Sequence, residues 1–165
     1  MRVIGIDPGI DDASYAIIDN GSLVEAGIIR NSYKPKGKVE KLLKANVMAL
    51  DLRNKLLELE HVDHAIIEAS ASSSHGLRNF NTMCRMAMVS GAALGAVNAD
   101  FIEFVPPPTW KEKKDKLDNH AVMLAKVSQH ERDKLQKFAA KTIASKRHNV
   151  IDAYLIALWG YNQYS

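Results

Sequence analysis

An apolar run that closes on a carboxylate occurs twice in this chain, and no other feature constrains the fold as much. Val3-Ile4-Gly5-Ile6 reads as a buried parallel strand, in which consecutive Val and Ile are expected because both faces are covered, yet Asp7 follows at once. The stretch HAIIEAS repeats the pattern with Glu68. A charge at the end of a covered strand is unfavourable unless it is paired or binds a cation. An ion pair, or a strand that stops one residue early, accounts for either acid alone. If the two strands are parallel neighbours, both acids leave the same edge of the sheet. A third acid, Asp152, stands near the start of a final helix in RHNVIDAYLIALWG, where a negative charge is favourable in its own right. Three carboxylates converging on one point repel, and a divalent cation resolves that repulsion. An oxygen donor set without thiolates favours magnesium, with manganese as its substitute, and both suit phosphate chemistry.

The rest of the chain supplies a frame for these acids. Ser14–Asp19 and Leu23–Arg30 read as strands joined by the hairpin signal Asp19-Asn20-Gly21, so the chain begins as an antiparallel meander. Leu42, Leu43, Val47, Leu50, Leu52, Leu56, Leu57 and Leu59 recur near helical spacing, which predicts a long helix ending around Glu60 and covering one sheet face. HAIIEAS is then a fourth strand and DFIEFV a fifth, stopped by Pro106-Pro107-Pro108. Between them the spacing predicts a helix from Leu77 to Asn98. On it Ala87, Gly91 and Gly95 form a smooth strip suited to packing within the chain or against a second copy. TWKEKKDKLD reads as a charged connector, followed by helix from Asn119 to Ser145 with a break near His130. A last helix begins near His148 and turns Ile151, Tyr154, Leu155 and Leu158 inward. The order βββαβαβ followed by helices implies a mixed sheet with helices on both sides.

At 165 residues the chain suits one unit, 1–165, with its own core. Apolar residues make up 47% and charged residues 25%, without repeats or biased tracts, as in a globular protein. No run approaches the ~20 apolar residues of a membrane span, and Asp7 interrupts any signal-peptide pattern, so a cytoplasmic protein with no membrane partner is expected. The single cysteine, Cys84, excludes a disulfide framework and a multi-thiolate zinc site, and reads as a small core residue. The net charge is only +3, but basic residues gather in KPKGK (Lys34, Lys36, Lys38), WKEKKDK (Lys111, Lys113, Lys114, Lys116) and KRH (Lys146, Arg147, His148). Each cluster alone is most simply a solvated face. Three of them flanking the acidic positions are less easily dismissed as such.

The blocks IGIDPGI, AIIEAS and RHNVIDAYLIALWG resemble, in order and spacing, the three acidic blocks of RuvC-like Holliday junction resolvases of the RNase H superfamily, including those of phage type. The resemblance extends over nearly the whole chain, including the prolines after the fifth strand and the lysine-bearing loop beyond them. It implies an α/β fold with a five-stranded mixed sheet in the order 3-2-1-4-5 flanked by helices, a homodimer, four-way or branched DNA as partner, and phosphodiester hydrolysis with two magnesium ions. Asp7, Glu68 and Asp152 match the family's catalytic carboxylates, with Asp7 expected to bridge ions ~4 Å apart. The products would carry 5′-phosphate ends. The family usually has Asp or His three residues before the last aspartate, where this chain has Asn149. His148, four residues before Asp152, lies on the same helix face and is expected to act as ligand or general base. An asparagine carbonyl is a poorer ligand, so one metal position would be weakened. AIIEAS is followed by SASSSHG, which lacks the aromatic wedge of some resolvases. His75 and Phe80 are the candidates to stand in for it, although Phe80 in a helical pattern is more often core. Lys34, Lys36, Arg78, Lys111, Lys113 and Lys114 are the expected phosphate contacts, and Trp110 either stacks on a base or anchors the core beneath the prolines.

Other readings remain. IGIDPG also resembles the phosphate loop of the actin and heat-shock ATPase fold, but 165 residues do not supply the two domains which that fold closes over a nucleotide, so no nucleotide cofactor is expected. Asn149 suits a branched-DNA binding protein with weak or no cleavage. A superfamily relative acting on flaps or RNA–DNA hybrids is the third reading.

Overall fold

In the computed structural model, residues 1–33, 41–69, 80–111 and 116–165 are described, with side chains from residue 119 onward in the last segment. Three strands open the chain: β1 (Arg2–Asp7), β2 (Asp12–Asp19) and β3 (Ser22–Arg30). They form the expected antiparallel meander, and β2 turns into β3 through Asn20-Gly21, both with positive φ, as a two-residue hairpin turn requires. Helix α1 (Lys41–Leu57) leads to β4 (Val62–Glu68), and α2 (Phe80–Leu94) leads to β5 (Ala99–Val105). Both later strands join in parallel, β4 beside β1 and β5 beside β4. The sheet order is β3-β2-β1-β4-β5, as the resemblance to RuvC-like resolvases implies.

The region expected to be a charged connector begins with one turn of helix, α3 (Pro107–Trp110), for which Pro107 at the first helical position is a favourable start. Helices α4 (Lys116–Ala125) and α5 (Gln129–Ala140) follow, and the break falls at Ser128, whose hydroxyl accepts the Glu131 N–H and caps α5. After a 3₁₀ turn (Ala144–Lys146), α6 (Arg147–Tyr164) closes the chain.

The sheet separates two cores. Ile4, Ile6, Ile17, Ala65 and Ile67 pack with Met48, Leu52 and Leu56 of α1 and Val89 and Ala93 of α2. On the other side Val3, Ala16, Ile18 and Ile66 pack with Val150, Ala153, Tyr154 and Ala157 of α6, and with Met123, Val127 and Leu135 of α4, α5 and their link. Helix α6 buries residues around most of its circumference because it lies between the sheet and α4 and α5. Tyr154 and Leu155 point inward as expected, while Ile151 and Leu158 are half-buried at its margins.

Two sequence expectations need correction here. The long helix is covered through Ala45, Met48, Leu52 and Leu56, whereas Leu42, Leu43, Leu50 and Leu57 face outward, so the apolar residues overstate its buried stripe. Cys84 is exposed, not core. The buried residues of α2 (Val89, Ser90, Ala93) all lie in its second half, and the half that carries Cys84 lies outside the core.

Candidate functional site

Side-chain alternation decides where the strand-end acids point. In β1, Val3 lies in the core beneath α6, and Ile4 and Ile6 lie in the core beneath α1 and α2. Gly5 returns to the α6 side, and Asp7 continues that series. In β4, Ile66 lies on the α6 side and Ala65 and Ile67 on the other, so Glu68 also belongs to the α6 side. The parallel register pairs Ile6 with Ile67, which makes Asp7 and Glu68 the next residues along adjacent strands. They leave one edge of the sheet on one side.

Helix α6 brings Asp152 to this edge. A Cβ placed on Gly5 would collide with the Ala153 carbonyl oxygen and the Ala157 nitrogen, so α6 crosses β1 in backbone contact immediately after Asp152. Ser14 lies opposite Asp7 in the β1–β2 register, and its hydroxyl donates to the Asn149 carbonyl at 2.7 Å, which fixes the first turn of α6 beside the end of β1. His148 and Asn149 precede Asp152 by one helical turn, on its face of the helix. Asp152 is 2% exposed, and Asp7 and Glu68 are half-buried.

Two of the three carboxylates are held by ring nitrogens from the segment after β5. The Trp110 indole donates to Glu68 Oε2 at 3.0 Å, with the Lys111 ammonium 3.8 Å from the same oxygen and 4.5 Å from the centre of the Trp110 ring. The His120 Nε2 lies 2.7 Å from Asp152 Oδ1. Asp11 and Asp12, which follow β1 in the chain, are each paired with a lysine. Lys44 pairs with Asp11, and Lys146 with Asp12 at 2.7 Å, a contact that holds the Lys146 ammonium above its ordinary pKa.

The expected site residues thus divide. Asp7, Glu68, Asp152, His148 and Asn149 gather at one sheet edge, and Lys111 reaches Glu68. Phe80 is 60% exposed rather than core. Of the two roles open to Trp110, base stacking or core anchor, its 1% exposure bears out the anchor, because the turn Pro107–Trp110 folds its ring under α6. Lys34, Lys36, His75, Arg78, Lys113 and Lys114 lie outside the described residues or side chains. His120 was missed by sequence reasoning. Its signal was its place three and seven residues before Met123 and Val127, on a buried helical stripe where a histidine requires a polar partner.

A second group of candidate ligands sits at the opposite end of the sheet. Among the described residues, the ligand atoms of His61, Asp63 and Asp100 all lie within 4.8 Å of one another. These side chains are about half exposed, His61 pairs with Asp100 at 3.1 Å, and Asp63 accepts the Arg2 N–H at 2.7 Å. They belong to the entry ends of β4 and β5, across the sheet from Glu68.

No family model matches the chain, and no curated protein matches it in sequence. Solved structures do match. Thermus thermophilus RuvC in complex with a Holliday junction substrate aligns over 96% of this chain and 92% of its own, with a TM-score of 0.59 at 15% identity. The yeast mitochondrial Holliday junction resolvase Ydc2 aligns over 98% of this chain and 80% of its own, with a TM-score of 0.59 at 17% identity. The RuvC structure of Thermus thermophilus alone gives a TM-score of 0.52 at 14% identity. The chain therefore has the RNase H-like fold. Within that fold it has the RuvC-like arrangement, a five-stranded mixed sheet in the order 3-2-1-4-5 flanked by helices.

Proposed function

We propose that this protein is a metal-dependent endonuclease that resolves four-way DNA junctions. The observation that carries the reading is the delivery of Asp7, Glu68 and Asp152 to one edge and one side of the sheet by the β1–β4 register and the α6 crossing. The RuvC-like fold supports it, since the matched structures include a Holliday junction resolvase and a RuvC in complex with a Holliday junction substrate.

The donor set fits a divalent cation. It consists of carboxylate oxygens with an imidazole at His148 and an amide at Asn149, and the chain's one thiol, Cys84, lies on α2. Asp7, Glu68 and Asp152 would hold magnesium, or manganese in its place. Bound there, the metal supplies Lewis-acid polarisation of the scissile phosphate and a more acidic attacking water. The chain's own residues do the rest. Trp110 fixes the Glu68 carboxylate, and Ser14 fixes the helix turn that carries Asn149 and His148. Lys111 places a cation beside the acids, where a backbone phosphate needs one. Hydrolysis would leave a 5′-phosphate and a 3′-hydroxyl.

Paired symmetrical nicks require two such sites, and a homodimer would supply them. The strip Ala87, Gly91 and Gly95 faces away from the described core, and a Cβ at Gly91 would meet nothing within 4 Å. Beside it lies a hollow of about 360 Å³ lined by Met83, Ala87, Gly91 and Phe104. A second copy covers this apolar surface in the reading we favour.

A synthetic four-way junction incubated with magnesium tests the proposal. Wild-type chain should nick it in symmetrical pairs, and Asp7→Asn should abolish nicking while retaining junction binding. Equal activity of Asp7→Asn would refute the metal assignment, and cutting of RNA–DNA hybrids in preference to junctions would refute the substrate. Asn149 favours a second reading, binding without cleavage. Absence of nicking by both wild type and Asn149→Asp would refute the enzyme reading, and junction binding by the same chains would support the second.

A further inference from the structure

The segment that follows β5 supplies one ring N–H to each of two acids, Trp110 to Glu68 and His120 to Asp152. Three other carboxylates of the chain are met differently. Asp11, Asp12 and Glu131 each face a lysine, namely Lys44, Lys146 and Lys134. A lysine neutralises a carboxylate through a mobile ammonium. A ring nitrogen on a packed side chain offers a donor in one fixed direction, and a carboxylate has about four lone-pair sites, so accepting one N–H does not exhaust it.

Geometry makes that direction matter at Asp152. The carboxylate torsion of aspartate is broad and only weakly set by the backbone, so the plane of the group is fixed by what it touches. His120 is 7% exposed and comes from α4, a different element from the one that carries Asp152; Met123 buries the same stripe of that helix, and Val127 is buried just beyond its end. The imidazole is therefore held independently of α6. With Asp152 ionised, the ring nitrogen 2.7 Å from its Oδ1 must carry the hydrogen.

We propose that His120 is a positioning residue whose Nε2–H sets the plane of the Asp152 carboxylate for cation binding. The inference rests on the metal-holding role proposed above for Asp152. Hydrogen-bond partners of metal-ligating groups are typically worth 10–100-fold in metal affinity.

The test is Mn²⁺ affinity, measured by calorimetry on the full chain without DNA. His120→Gln places an amide nitrogen where Nε2 was and should keep affinity within about threefold of wild type. His120→Phe keeps the ring and removes the donor, and should weaken Mn²⁺ binding about 10–100-fold. His120→Asn remains polar but is too short to reach Asp152, and should weaken binding as much. It carries the test if the Phe variant does not fold. Melting in EDTA, together with junction binding in Ca²⁺, separates this role from a purely structural one. A structural role lowers the melting temperature without lowering the Mn²⁺ affinity of the folded chain. Wild-type affinity in folded His120→Asn would overturn the proposal, as would a loss in His120→Gln equal to that in His120→Asn. Failure of the wild-type chain to bind Mn²⁺ would overturn the proposed function itself.

Discussion

The two ends of the central sheet carry similar residues in different settings. At the exit of β1 and β4 stand Asp7 and Glu68, with Asp152 and His120 beside them. At the entry of β4 and β5 stand Asp63, Asp100 and His61. Both ends bring carboxylates and a histidine together. Only at the entry end do the described ligand atoms already fall within 4.8 Å of one another. Proximity alone would favour that end, yet burial and support favour the other. Asp152 is 2% exposed and Glu68 accepts a buried indole N–H, whereas Asp63 and Asp100 are 46% and 58% exposed. Exposed ion pairs contribute little, about 0–1 kcal/mol, and require no special partner. A buried carboxylate is retained only where its environment compensates it, and so it marks function better than a count of acids does.

The comparison can be broken at either end. The largest effect is expected from Gly5→Val, which drives side-chain atoms into the backbone of α6 and separates Asp152 from β1. Urea unfolding should show a loss of about 3 kcal/mol or more, with cleavage lost even in the fraction that folds. An unchanged midpoint would mean that α6 does not lie against β1 as described.

A smaller effect is expected from Glu131, near the β2–β3 turn. Burial alone would push its carboxyl up, but the Leu23 N–H, the Ser22 hydroxyl and Lys134 together hold it below its ordinary value. A lowered folded pKa contributes stability that is complete above the unfolded value of about 4.5 and is lost as pH falls through the folded value. Melting followed from pH 6 downward should therefore show a steeper acid loss in wild type than in Glu131→Gln. Parallel curves would show that the network does not bind the ionised form preferentially. The smallest effect belongs to the exposed group. Asp63→Asn combined with Asp100→Asn should leave junction cleavage within about twofold and stability within about 0.5 kcal/mol per site.

Most of the sheet was legible because its strands obey local rules. Val3 to Ile6 and Ala65 to Ile67 are continuous apolar runs, and Asn20-Gly21 dictates its own turn. The strand order and the shared edge of Asp7 and Glu68 follow from the β1–β4 pairing, which agrees with the resemblance to RuvC-like resolvases. What was not legible depends on how far each helix is covered. Leucines at helical spacing in α1 include four that face outward, and Cys84 lies on a part of α2 that the core does not reach. The partners of Trp110 and His120 were obscured for a related reason. Trp110 opens a lysine-rich stretch that reads as a solvated connector and His120 lies just beyond it, and only the fold shows that the two turn back onto Glu68 and Asp152.

Paramagnetic broadening by Mn²⁺ in amide NMR spectra of the wild-type chain tests the central claim most directly, because it shows which end of the sheet takes the ion. At low Mn²⁺, signals around Asp7, Glu68 and residues 149–153 should be lost, while those of His61, Asp63 and Asp100 stay sharp. Broadening that begins at His61, Asp63 and Asp100 and spares Asp7 would contradict it.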